Sequence, residues 1–308
     1  MSFEGGNRME TRVLVVLNPC AGQKAANRNL FDIIKILSDA GWQCTVMLTK
    51  QRGDGRAYVS QYGRAFDRIV CIGGDGTFNE VVSGVLDAGL TVPVGYVPSG
   101  STNDFANSLK LSRNLLQATH DIATDHRRSI DVGSFNDRPF TYVASCGAFT
   151  AASYSADQLL KNTLGHLAYV LRGIQDLSDI KPHHLRLQTE DRVFEGDYIF
   201  GAFCNSTSLG GLLKLNPLAV DMNDGKLEVL LVEAPKTARN LARVATALLR
   251  QDYADCPHIT FFSADRVTVD APADMPWSLD GEYEAGSAHI TVRNLRSAIS
   301  LMAPPEQA

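Results

Sequence analysis

The sequence has no apolar run approaching the roughly 18–20 residues of a membrane-spanning helix, so no transmembrane segment is expected. The early run "VLVVL" (13–17) is too short for a signal-peptide core and runs straight into Asn18-Pro19. Positive charge is not in excess: 29 Lys and Arg face 34 Asp and Glu, for a formal net charge of −5. Nucleic-acid binders are more often basic, so no nucleic-acid partner is expected. The six cysteines include no C-x-x-C pair, which argues against a zinc site or a disulfide frame and for small buried hydrophobes in a reducing compartment. There is no internal repeat or low-complexity tract. No Gly-Lys-Ser/Thr P-loop, no G-x-G-x-x-G and no Ser or Cys nucleophile elbow occurs. A soluble cytoplasmic protein remains, with 308 residues to build two domains or one large one.

The first 130 residues alternate strand-like and helix-like patterns. "TRVLVVLNP", "WQCTVMLTK", "DRIVCIGG" and "TVPVGYVPSG" read as strands. "NLFDIIKILSDAG" places Leu30, Ile33, Ile34 and Leu37 on one helical face, and "TFNEVVSGVLDAG" is a second helix closed by glycine. Apolar strands separated by helices predict a parallel sheet with helices on both faces, an α/β domain over 1–130. From "SIDVGSFNDRPFTYVASCG" onward the pattern changes. Asn136-Asp137 reads as a hairpin turn, and "HLRLQTEDRVFEGDYIFGAFCNS", "KLEVLLVEAP" and "HITFFSADRVTVDAP" follow. A mainly antiparallel β domain is expected over 131–296, interrupted by helices near 155–178 and 236–251. The segment 297–308 is a candidate to return to the first domain, and the tail "APPEQA" is expected to be loose.

"CIGGDGTFNEVVSG" (71–84) sets Gly73, Gly74 and Gly76 around Asp75 at a strand end. Glycines let backbone approach a ligand, and exposed N–H groups at a helix start attract phosphate. The plainer reading is a structural turn with Asp75 as a helix cap. A carboxylate among phosphate-binding amides suggests an intervening Mg²⁺. "NPCAG" (18–22), with Lys24 just beyond, and "PSGSTNDFA" (98–106) follow other strands of the same sheet and have similar character. Arg52 is a further basic residue that could steer phosphate.

"NPCAG", "GGDGTFNEV", "PSGSTNDFA", "NDGKLEV" and "SLDGEYEAG", in this order over 18–286, resemble the diacylglycerol kinase catalytic-domain family, which includes the sphingosine and ceramide kinases. The resemblance implies an NAD kinase/diacylglycerol kinase-like two-domain architecture with ATP in the cleft between domains. It implies nucleotide contacts at Asn18, Pro19, Cys20, Ala21, Gly22, Thr49, Gly74, Asp75, Gly76, Thr77, Phe78, Asn79, Glu80 and Ser101, the last usually Thr in the family. It implies a second-domain Mg²⁺ held by the Asp224 side chain and the carbonyls of Asp221 and Lys226, where the residues alone allow an Asn-Asp-Gly β-turn. It assigns proton acceptance to Glu282, with Asp280 its neighbour.

Phosphoryl transfer needs an alcohol, a metal against phosphate charge and a base. In an extended segment Asp280 and Glu282 point to one face and form a carboxylate pair; a solvated acidic turn is the alternative. His183-His184 reads as a surface loop. Leu160, Leu164, Leu167, Leu171 and Ile174 form a helical stripe suited to core packing, to a substrate cleft or to membrane contact. The expected activity is an ATP- and Mg²⁺-dependent lipid kinase, with diacylglycerol as the leading substrate by resemblance, met peripherally at the inner membrane face. A NAD kinase-like small-molecule kinase and a non-catalytic lipid- or nucleotide-binding module are the alternatives. The residues are compatible with a homodimer.

Overall fold

The computed structural model describes residues 11–22, 25–147, 181–209, 213–216 and 220–304. The chain divides into two compact units. The first is Met1–Ser101, Leu111–Arg128 and Ile299–Ala308; the second is Thr102–Lys110 and Ser129–Ala298.

The first unit is built on a parallel sheet. Its strands are β1 (Thr11–Leu17), β2 (Trp42–Leu48), β3 (Arg68–Gly73) and β4 (Val94–Pro98), in the order β2-β1-β3-β4. Leu301 and Met302 add a last parallel pairing, to Val94 and Gly95. Val13–Leu17 are all buried, as a strand covered on both faces must be. Side chains alternate across the sheet. Val13, Val15, Leu17, Val70, Ile72 and Val97 share a cluster with Ile33 and Leu37 of α1 (Ala25–Asp39). Further along the chain lie α2 (Asp54–Tyr62), α3 (Asp75–Asp87) and α4 (Asp104–Ser108), which belongs to the second unit. Ala118 and Ile122 of α5 (Leu115–Ala123) complete the cluster beside α1. On the opposite face Phe78 of α3 stacks on Tyr96 of β4 at 4.4 Å.

The second unit is antiparallel. It contains β5 (Arg127–Phe135, from residue 129), β6 (Arg138–Phe140), β7 (Val143–Gly147), β8 (His183–Gln188) and β9 (Val193–Cys204). β10 (Ser208–Leu209) pairs with β11 (Leu213–Lys214). β12 (Leu227–Glu233), α6 (Ala238–Arg250), β13 (Ile259–Ala264), β14 (Arg266–Asp270), β15 (Trp277–Leu279), β16 (Glu282–Glu284) and β17 (His289–Met302) follow. The path β16-β15-β7-β9-β8-β14-β17 is continuous, and the long β9 also carries β12 and β13. Trp277 is fully buried at its centre, 4.9 Å from Phe135 and 6.0 Å from Phe203.

The hairpin at Asn136-Asp137 forms as expected: both residues have positive φ, 45° and 69°, the type I′ geometry that suits strand twist. His183-His184 is a correction. These residues open β8, and His184 lies among Asp197 and Glu195 of β9 instead of in a loop. The helix near 155–178, Lys24 and the last four residues of the tail lie outside the described residues. Among the described residues no cysteine is disulfide-bonded, and no helix is long and apolar enough to cross a membrane.

Candidate functional site

The register of the first unit brings its strand ends together. Leu17 stands beside Leu48 and Ile72, and Gly73 beside Pro98. The ladder continues one residue into each loop: Thr49 N–H donates to Leu17 C=O at 2.9 Å, Asn18 N–H to Ile72 C=O at 2.9 Å and Ser99 N–H to Gly73 C=O at 2.8 Å. The four segments that start at Asn18, Thr49, Gly74 and Ser99 therefore leave one edge, the edge where open α/β sheets bind ligands.

Glycine is needed at this edge for different reasons. A Cβ on Gly22 (φ +48°) would lie 1.7 Å from the Ser99 carbonyl oxygen, so the first loop packs against the last only because that atom is missing. A Cβ on Gly73 would stand 2.5 Å from the Thr77 Cβ, and one on Gly74 3.2 Å from the Gly100 Cα. A Cβ on Gly76 would meet nothing within 4 Å: this glycine faces open space at the first turn of α3. The N-cap of α3 is Gly74, without a side-chain cap, and Asp75 is the first helical residue, half-exposed. Asp75 is thus not the cap that a plain structural turn would make of it. Ser99 Oγ is buried and has no hydrogen-bond partner among the described residues. An open glycine, helix N–H groups and an orphaned buried hydroxyl are a donor set that fits a phosphate group.

The individual residues divide by role. Asn18 Nδ2 donates to Thr77 Oγ1 at 3.0 Å, and Asn18 Oδ1 accepts from Cys20 N–H at 2.9 Å, so Asn18 shapes the loop through Pro19 and Ala21. Phe78 is fully buried, leaving only backbone to face a ligand. Glu80 is committed to the start of α2. Its two oxygens accept from Gly53 N–H at 2.7 Å and Gly55 N–H at 3.0 Å, capping α2. Cys20 and Ser101 are exposed, and Thr49 and Asn79 half-buried.

In the second unit the Asp-Gly-Glu segment is not extended. Asp280 (φ 50°) and Gly281 (φ 80°) form a type I′ turn, and Leu279 pairs with Glu282. The expected carboxylate pair is therefore corrected. Asp280 is buried, and Oδ2 accepts from Thr141 N–H at 2.6 Å and Thr141 Oγ1 at 2.8 Å. Oδ1 accepts from Tyr142 N–H at 2.9 Å and Val143 N–H at 3.0 Å. Burial pushes this carboxyl above the ordinary aspartate range while the four donors pull it back. Its oxygens serve the fold and are not offered as a base. Glu282 is different: about a third of its side chain is exposed, and Oε2 accepts from Arg138 Nη2 at 3.3 Å. Arg138 also pairs with Glu284 through Nη1.

The 221–226 loop is exposed, apart from Met222 and half-buried Gly225, and is anchored from below. Buried Asp131 accepts from Gly225 N–H at 2.7 Å and from Ser297 N–H at 2.7 Å. Asp221 Oδ1 accepts from Asn223 N–H and Asp224 Oδ1 from Lys226 N–H, at 2.9 and 2.8 Å. The Lys226 carbonyl accepts from Asn294 Nδ2 at 2.8 Å. Among the described residues no three His, Cys, Asp or Glu side chains gather into a metal cluster. The loop offers the Asp221 and Asp224 carboxylates and backbone carbonyls, a hard-oxygen set suited to Mg²⁺, which keeps several waters. Glu228, two residues on, is buried with Oε2 unpartnered; burial first, then Asp224 and Asp221, push its carboxyl up to about 8. A nearby cation would relieve that crowding, so the residues fit the ion.

Two units, an α/β unit on a parallel sheet followed by an antiparallel β unit, define the fold class. The diacylglycerol kinase catalytic domain matches residues 12–135, and the YegS C-terminal NAD kinase beta sandwich-like domain matches residues 143–303. A protein of Bacillus subtilis (strain 168) named diacylglycerol kinase is 31% identical over 96% of this chain and 98% of its own. One of Staphylococcus haemolyticus (strain JCSC1435), with the same name, is 29% identical over 95% of this chain and 88% of its own. A structure from Bacillus anthracis str. Sterne, described as a diacylglycerol kinase, shares the fold at TM-score 0.74 and 21% identity, covering 96% of this chain and 97% of that one. The chain belongs to the diacylglycerol kinase family.

Arg138, Asp131 and Ser99 carry no site role in the sequence reading. Arg138 had a signal, since it follows the Asn136-Asp137 turn, but its partner lies 144 residues away. The two acids of the turn make a direct test. Asp280→Asn sets an amide N–H₂ against N–H donors and is expected to cost about 3 kcal/mol in urea unfolding. Glu282→Gln, at a half-exposed ion pair, is expected to stay within about 1 kcal/mol. Equal stability of Asp280→Asn and wild type would remove the structural role given to Asp280.

Proposed function

We propose that the chain is an ATP- and Mg²⁺-dependent lipid kinase that moves the γ-phosphate of ATP to a lipid hydroxyl at a membrane surface. Diacylglycerol is the acceptor that the relatives' name supplies. The observation that carries the reading is the single sheet edge where the loops at Asn18, Gly74 and Ser99 converge, with Gly76 open and Ser99 Oγ unpartnered.

The transfer forms a bond from the lipid hydroxyl oxygen to the γ-phosphorus as the bond from that phosphorus to the ADP oxygen breaks. The hydroxyl proton passes to the Glu282 carboxylate, which Arg138 holds in place. The α3 amides and the 18–22 and 99–101 loops bind and orient phosphate. Mg²⁺ when bound neutralises phosphate charge; Asp75 would hold it beside the nucleotide, and Asp224 with the Asp221 and Lys226 carbonyls would hold a second ion.

Incubation with labelled ATP and a total lipid extract is expected to label a lipid and not NAD. Label entering NAD alone would move the reading to a NAD kinase-like enzyme, and no ATP turnover with either acceptor would make the chain a binding module. Glu282→Gln is expected to lower kcat by roughly 10²–10⁴-fold with ATP affinity little changed. Near-normal kcat in that variant would place the base elsewhere. Asp75→Asn is expected to lose far more than tenfold in turnover, beyond about 1.4 kcal/mol in the barrier; a loss within tenfold would defeat the metal role. Mg²⁺ without nucleotide is expected to raise the melting temperature of the wild type. Asp224→Ala should lose that rise, and an equal shift in both proteins would reject the 221–226 site.

A further inference from the structure

A same-face carboxylate pair does exist in the second unit, one step beyond the Asp-Gly-Glu turn. β16 is extended, so Glu282 and Glu284, two residues apart, stand on one face. Arg138 gives Nη2 to Glu282 Oε2 at 3.3 Å and Nη1 to Glu284 Oε2. One positive charge therefore serves two negative ones. Glu284 stands opposite Trp277 in the β15–β16 pairing, and Trp277 is fully buried. Directly paired residues share a face of the sheet, so an apolar side chain would be the simplest occupant of position 284. The Glu284 side chain is only 23% exposed. A carboxylate there gives up part of its hydration, which Arg138 replaces.

The backbone of Arg138 is fixed without help from either acid. Asn136 N–H donates to the Thr291 carbonyl at 2.9 Å, and Thr291 N–H donates to Asn136 Oδ1 at 2.8 Å, which clamps the hairpin to β17. Asp137, beside Arg138, is taken up by Arg293 at 2.7 Å. The other titratable groups at the turn, among the described residues, are Asp280, Tyr142 and Tyr283. Asp280 is buried with its four donors, the Tyr142 hydroxyl lies beside Gly281, and Tyr283 is on the opposite face of β16. Two opposed effects then act on Glu282. A neighbouring guanidinium favours its ionised form, and a neighbouring carboxylate disfavours it. With Arg138 to itself, Glu282 would gain a forked pair and become a weaker base. With no guanidinium, the two acids would compete and one would hold its proton. We propose that Glu284 is a positioning residue: it draws Arg138 partly off Glu282, so that Glu282 stays ionised and yet remains basic enough to take an alcohol proton. The proposal rests on Glu282 being the base of the proposed reaction, whose efficiency follows its proton affinity.

The test has one readout without turnover and one with it. The first is an NMR pH titration of the full chain carrying ¹³C at the glutamate carboxyls, where the resonance lost in Glu282→Gln identifies Glu282. In Glu284→Gln the Glu282 midpoint is expected to fall by roughly one pH unit, and in Arg138→Gln to rise. Glu284→Asp, which keeps the charge, should stay close to wild type. The second readout is the dependence of kcat on pH with labelled ATP and lipid. In Glu284→Gln its acid limb should move to lower pH, and kcat at neutral pH should fall by no more than about tenfold, since a weaker base is still present. An unmoved Glu282 midpoint in Glu284→Gln overturns the inference, even if the melting temperature drops, because the ion pair would then serve the fold alone. A fixed acid limb in Glu284→Gln, with Glu282→Gln inactive, overturns it as well. Shifted midpoints beside near-normal kcat in Glu282→Gln would uphold the coupling of the three side chains and unseat only Glu282 as the base.

Discussion

The buried carboxylate of Asp280 is the constraint on which the second unit's β15–β16 turn rests. A carboxylate taken out of water must recover its lost hydration, and here four donors from Thr141, Tyr142 and Val143 supply it. In doing so it fixes one end of β7 against the β15–β16 turn. It also stabilises a positive φ that a non-glycine residue otherwise resists. Glu282 follows two residues later, and its position is a consequence of that turn. An acid whose spacing suggests one half of a reactive pair is instead the reason the other acid stands where it does.

The first unit solves a different problem. A parallel sheet delivers all its strand ends to one edge, which crowds the connecting loops. Crowding is relieved by removing side chains, at Gly22, Gly73 and Gly74. It is also relieved by tying loops to one another, through Asn18 to Thr77 and through Glu80 to the start of α2. Gly76 is unlike these three because the space beside it is empty. There the protein leaves room that it does not itself fill, which separates a glycine kept for packing from one kept for approach.

Much of this was legible in the sequence. Continuous apolar runs mark β1 and β3, since strands buried on both faces have no polar alternation to obscure them. Asn136-Asp137 declares its hairpin by turn chemistry. The same reasoning applied to Asp280-Gly281, between "WSL" and "EYE", identifies a type I′ turn; the period-two rule that pairs Asp280 with Glu282 holds only for extended backbone. The side-chain roles of Glu80 and Arg138 were out of reach for another reason. Each is decided by a partner 25 or more residues away, and local pattern carries no trace of it.

Strand β17 has a consequence for the order of assembly. Its last residues pair with β4, so Val94 meets Leu301 across 207 positions of chain (301 − 94). During synthesis the helices and the other four strands of the first unit emerge early, yet β4 keeps an unpaired edge until almost the whole second unit has been made. Sequence-distant pairing of this kind is slow and leaves an open edge for misassociation. Nascent chains halted anywhere in the second unit would therefore present a nearly finished sheet with one strand missing, a ready substrate for chaperones.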